Sequence, residues 1–126
     1  MTNKTLLSII ESPSHPNFTD LYQQLGFQET QLTSIRKANN WLKKQQPDFI
    51  IAEFFYAFGN NYSGVHISNL DVLLVSLQKY SPNTKIIILV DKTQAKHVDH
   101  LKSIFPLHAV LQFPIAIEQI KSLLSR

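Results

Sequence analysis

Lys85-Ile86-Ile87-Ile88-Leu89-Val90 carries an unbroken run of Ile, Leu and Val. Apolar and polar residues do not alternate, so neither side of the segment is written for water. A strand of that kind belongs inside a parallel sheet covered on both faces. The turn Ser81-Pro82-Asn83 precedes it, and before that Ile67, Leu70, Leu74 and Leu77 recur at helical spacing. On the far side Ala95, Val98, Leu101 and Phe105 predict another helix, stopped by Pro106.

The rest of the chain repeats this grammar. Leu6 to Ile10 is a short apolar run closed by Glu11-Ser12-Pro13, as a buried strand leading into a loop. Phe18, Leu21, Tyr22 and Leu25 have helical spacing, and Gly26 is a natural stop. Gln28 to Thr33 reads as a weak edge strand. Ser34 can cap a helix whose inner face is Ile35, Ala38, Leu42 and Trp41, ending before Pro47. Phe49 to Phe55 is a strand interrupted only by Glu53, followed by a polar-aromatic loop from Tyr56 to His66. Ala109 to Phe113 predicts a fifth strand, and Ile117, Ile120 and Leu124 predict a closing amphipathic helix. Five β-α units in succession imply an α/β fold: a doubly wound parallel sheet with right-handed helical crossovers on both faces. The 126 residues are expected to form a single domain, 1–126.

Composition narrows the function classes. With no cysteine, disulfides, thiolate metal sites and Cys nucleophiles are excluded. No apolar run approaches the ~18 residues of a membrane span, and the N-terminus lacks a signal peptide's shape, so a cytoplasmic location is expected. The net charge of +3 is a mild basic bias. Lys37, Lys43 and Lys44, and likewise Lys92, Lys96 and Lys102, fall within helices and read as solvated faces, so nucleic acid is not an expected partner. His97 and His100 share a helix without a visible third metal ligand. No nucleophile elbow, glycine-rich phosphate loop or zinc-protease signature appears, and the chain is not expected to be an enzyme.

In a doubly wound sheet, ligands bind beyond the carboxyl ends of the strands. Those ends hold Glu11 and Ser12, then Glu53 with Phe54 to Tyr56 behind it, then Val90-Asp91, then Phe113-Pro114. Here the sequence resembles a known family. Pro47-Asp48-Phe49-Ile50-Ile51-Ala52-Glu53 is similar to the segment of response-regulator receiver domains, the chemotaxis-regulator-like family, in which a Pro-Asp pair and an apolar strand lead to the phosphorylated aspartate. Val110-Leu111-Gln112-Phe113-Pro114 resembles the end of the last receiver strand, where the family has Lys-Pro. The resemblance spans nearly the whole chain and implies the flavodoxin-like strand order 2-1-3-4-5.

It also implies what is missing. Glu53 stands at the phosphoacceptor position, one methylene too long. The acidic pair that holds Mg²⁺ is represented by Glu11 and Ser12. Phe113 replaces the lysine that meets the phosphoryl group. The switch Thr/Ser falls at Val90 or Asp91, neither with its hydroxyl, and Val110 replaces the switch aromatic. The domain is thus read as a degenerate pseudo-receiver that is not phosphorylated on aspartate.

Several alternatives remain open at this point. Glu53 either mimics a phosphoaspartate or is an inert acid at a strand end. Glu11, Glu53 and Asp91 either gather into a weak divalent site or are satisfied separately. Phe54, Phe55, Tyr56, Phe58 and Tyr62 either fold over the vacated site or expose an anchor for a partner. Phe113 is expected to pack among apolar neighbours, with help from the Phe54 to Phe58 run, while the carboxylates turn toward water or loop amides; its truncation should cost roughly 2–4 kcal/mol, as for a buried aromatic. The leading expectation is a signalling domain with no cofactor that binds a protein partner, including a homodimer through the last strand and last two helices, to which Ile115 would add an apolar contact. The alternative is a regulatory domain that binds a small molecule or a divalent metal at the strand ends, with Asn60, Asn61 and Tyr62 joining the acids.

Overall fold

The structure, a computed structural model, describes residues 4–10, 18–55 and 68–125. Its elements alternate as the apolar pattern requires: β1 (Lys4–Ile9), α1 (Thr19–Gln24), β2 (Phe27–Leu32), α2 (Ile35–Leu42), β3 (Phe49–Glu53), α3 (Asp71–Tyr80), β4 (Lys85–Val90), a 3₁₀ helix (Lys92–Ser103), β5 (Ala109–Gln112) and α4 (Ile117–Leu124). The five strands form one parallel sheet in the order β2-β1-β3-β4-β5. Residues Ile86 to Val90 are completely buried, as the unbroken apolar run demands.

Strand alternation divides the core in two. Leu7, Ile9, Ile50, Ala52, Ile86, Ile88 and Val90 face α2, α3 and the 3₁₀ helix. Leu6, Phe49, Ile51, Ile87 and Leu89 face α1 and α4. The punctuation residues act as expected. Ser34 accepts a hydrogen bond from the Lys37 amide at 3.2 Å and caps α2. Gly26, with φ +87°, takes the left-handed turn after α1 that any side chain would strain. The Phe113–Pro114 peptide bond is cis.

One element departs from a simple helical reading. Ala95, Val98, Leu101 and Ile104 lie exactly three residues apart and all pack on the core. An α-helix would rotate this row off the core by the third member, whereas a 3₁₀ helix keeps i and i+3 in line. The remaining residues sort into two more such rows. Lys96, Asp99 and Lys102 are exposed, with Lys102 paired to Asp99 at 3.2 Å. The third row is His97, His100 and Ser103, and His100 meets Asp71 of α3.

On the α1 side, a partly buried polar group borders the core. The two carboxylate oxygens of Glu29 accept from Ser8 Oγ at 2.6 Å and Thr19 Oγ1 at 2.9 Å. Beside them lies Tyr22, 2% exposed. Burial first, and then the Glu29 charge, push the Tyr22 phenol well above its usual range, against a smaller pull from its hydrogen bond to Ser8. The unfolded chain ionises this phenol near pH 10 while the folded chain keeps it protonated. Its contribution is therefore intact below about pH 10 and lost as the pH rises beyond it, at about 1.4 kcal/mol per pH unit. Tyr22→Phe is expected to flatten that alkaline slope in urea titrations between pH 9 and 11. An unchanged slope would mean that the phenol is not sealed in the core.

Candidate functional site

The carboxyl ends of β3, β4 and β5 lie side by side. Glu53 pairs in register with Leu89, and Val90 with Gln112. The Phe54 amide donates to the Leu89 carbonyl at 2.8 Å, and the Phe113 amide to the Val90 carbonyl at 3.0 Å, so the ladder runs one residue past each strand. Glu11, Ser12, Tyr56, Phe58, Asn60, Asn61 and Tyr62 lie outside the described residues.

Glu53 is 3% exposed. Of the two expectations for its carboxylate, water or loop amides, burial removes the first: a strand with every position buried carries Glu53 inside the fold. By alternation it belongs with Phe49 and Ile51, on the α1/α4 face. Phe113 is half-buried and packs on that same face's cluster, as do Leu111 and Ile115. Phe54 falls on the other face, 2% exposed, in the cluster of α2, α3 and the 3₁₀ helix. Two expectations change as a result. Phe54 cannot help Phe113 cover the site, because the sheet lies between them. Nor can Phe54 be an exposed anchor, which leaves Phe55, 40% exposed, as the accessible ring of the described pair. Ile115 is partly used by its own core rather than presented whole to a partner.

The other singled-out positions separate in the same way. Val90 is buried and Val110 half-buried, both with the α2/α3 cluster. Asp91 is exposed and caps the 3₁₀ helix: its carboxylate accepts from the Thr93 amide at 3.0 Å and from the Thr93 hydroxyl. The hydroxyl contact first, and the amide second, hold the Asp91 carboxyl below its usual range. Asp91 is thus on the surface and occupied as a cap, while Glu53 is in the core. Among the described residues no three His, Cys, Asp or Glu side chains gather as metal ligands.

A latch at the head of α3 escaped the sequence reading. Asn69 spans the end of β3: its Nδ2 donates to the Glu53 carbonyl at 2.8 Å and its Oδ1 accepts from the Phe55 amide at 2.7 Å. One residue earlier, Ser68 Oγ donates to Asp71 Oδ1 at 2.7 Å and accepts from the Leu70 amide at 3.1 Å. Asp71 Oδ2 lies 3.2 Å from His100 Nε2. The signal was present: Ser68-x-x-Asp71 ahead of Leu73, Leu74 and Leu77 has the form of a helix-start capping pattern. The latch fixes the β3 exit, the head of α3 and the 3₁₀ helix to one another.

No protein-family model matches the sequence, and no curated protein matches it. Solved structures do. The chemotaxis response regulator CheY4 of Vibrio cholerae superimposes with a TM-score of 0.74 at 20% identity, covering 99% of this chain and 98% of that one. The receiver domain of the Francisella response regulator 1452 gives 0.70 at 18% identity, over 98% and 94%. A structure described as the adenylate cyclase from Rhodopirellula baltica gives 0.72 at 16% identity, over 98% and 86%. At these identities the likeness is one of fold, and the fold is that of a receiver domain.

Proposed function

We propose that this chain is a receiver-like signalling domain that takes no phosphate on an aspartate, has no catalytic activity of its own and acts by binding another protein. The observation that carries this reading is the strand-end row itself. By the sequence resemblance Glu53 falls where a receiver has its phosphoacceptor Asp and Phe113 where it has its lysine, and here Glu53 is buried and Phe113 packs on an apolar cluster. Phosphoryl transfer depends on positioning and on charge placed against the transferred group. Glu53 lacks the position, and Phe113 lacks the charge.

With no phosphoryl switch, signalling falls to surfaces. The face made by the 3₁₀ helix, β5 and α4 is one: β5 is an edge strand with half-buried residues, and Ile117, the first residue of α4, is 46% exposed. A second copy of the chain, or another protein, would meet that face, while Phe55 marks a second apolar point near the β3 exit. Backbone amide spectra recorded with Mg²⁺ and beryllofluoride, a phosphoryl mimic, test the reading. Amides at Glu53, Asp91 and Phe113 should stay in place. Saturable shifts at those amides with Mg²⁺ or Ca²⁺ alone would instead favour a divalent-binding regulatory domain.

A further inference from the structure

The search outside the strand ends leads to α2 and α3, which pack side by side over one face of the sheet. Between Thr30 and Pro47 the sequence holds no acidic residue. The outward side of α2 and its C-terminal end is basic instead: Arg36, Lys37, Lys43 and Lys44 are all exposed, and none forms an ion pair among the described residues. On α3 the one acid, Asp71, is buried. Its outward stripe is Val72, 43% exposed, Val75, 54% exposed, and Lys79. Uncompensated cations raise each other's energy, and exposed valines at i and i+3 leave apolar area in water. Both costs fall if an apolar surface edged by carboxylates covers the pair.

We infer that the joined outer faces of α2 and α3 dock an acidic, amphipathic segment of a partner protein. The inference deepens the protein-binding reading above and rests on it. Charge complementarity selects the acidic partner, since Arg36, Lys37, Lys43 and Lys44 meet no acid among the described residues. The valines select protein over nucleic acid: a phosphate backbone has nothing to place against them, and only one of the four cations is the arginine that phosphate recognition favours.

The test uses isotope-labelled full chain and, as probe, a synthetic helical peptide of Glu and Leu in heptad spacing. Amides of residues 35–44 and 71–80 should shift on titration. The triple variant Lys37→Gln, Lys43→Gln, Lys44→Gln should weaken binding about tenfold, with the loss shrinking as salt is added. The double variant Val72→Ser, Val75→Ser should weaken it several-fold at every salt concentration. Circular dichroism melts confirm that both variants fold; all five substituted side chains are exposed, so both should. Absence of binding at low salt, or binding indifferent to both variants, overturns the inference. So does tighter binding of duplex DNA or phosphatidylserine vesicles that depends on the lysines and ignores the valines. Peptide shifts confined to β5, α4 and the 3₁₀ helix overturn this surface but leave the protein-binding reading standing. Phosphoryl uptake by the chain would remove the phosphorylation-independent part of that reading without bearing on this surface.

Discussion

Phe54→Ala is expected to destabilise the fold by about 3–4 kcal/mol, and Phe113→Ala by only about 1–2 kcal/mol, less than the roughly 2–4 kcal/mol expected of a fully buried ring, because Phe113 is half-buried. The two rings have equal volume, so burial and surroundings set the difference. Phe54 is 2% exposed and wedged among α2, α3 and the 3₁₀ helix. Its removal opens a cavity walled by three helices that are already tied together and cannot collapse inward cheaply. Phe113 sits at the end of an edge strand, half-buried, and part of its area faces water in the native state. Truncation there removes less buried surface and leaves a notch that solvent fills. Urea denaturation of the two variants measures the difference directly. Equal costs would mean that Phe113 is as enclosed as Phe54.

Asp71→Ala should cost about 2–3 kcal/mol, the larger part of it from hydrogen bonds. A buried carboxylate can be replaced at a gain when its partners are few, because desolvating the charge is expensive. Here the balance goes the other way. Asp71 lies in the first turn of α3, where the helix dipole favours negative charge. It also accepts from Ser68 and meets His100, so its loss frees the head of α3 and the third row of the 3₁₀ helix together. Asp71→Asn keeps an acceptor for Ser68 and should cost less than half as much. A cost below about 0.5 kcal/mol for the alanine variant would show that the latch is ornamental and that the 3₁₀ helix is held by its apolar row alone.

How much of this was legible depends on the range over which each feature is encoded. The continuous run at 86–90 and the alternation of strand and helix periods are local patterns, and they determined the parallel sheet and the order of elements. The 3₁₀ helix was also written locally, in the three-residue spacing of Ala95, Val98, Leu101 and Ile104. Closing the stripe on Phe105 instead of Ile104 hid it. The placement of Phe54 and Phe113 on opposite faces was not legible, because parity along one strand says nothing about a neighbour until the register is known. The Glu29 group, bonded across 21 and 10 residues, has no local period at all. At the strand ends, the residue types at 53 and 113 were read from resemblance, whereas the burial of Glu53 had to come from the fold.

The central claim is that these strand ends carry out no phosphoryl transfer. Intact-mass measurement of the protein after incubation with acetyl phosphate and Mg²⁺, at neutral pH without acid quench, tests it most directly. The account predicts a single species at the unmodified mass. A labile phosphoryl adduct that disappears in Glu53→Gln would contradict it.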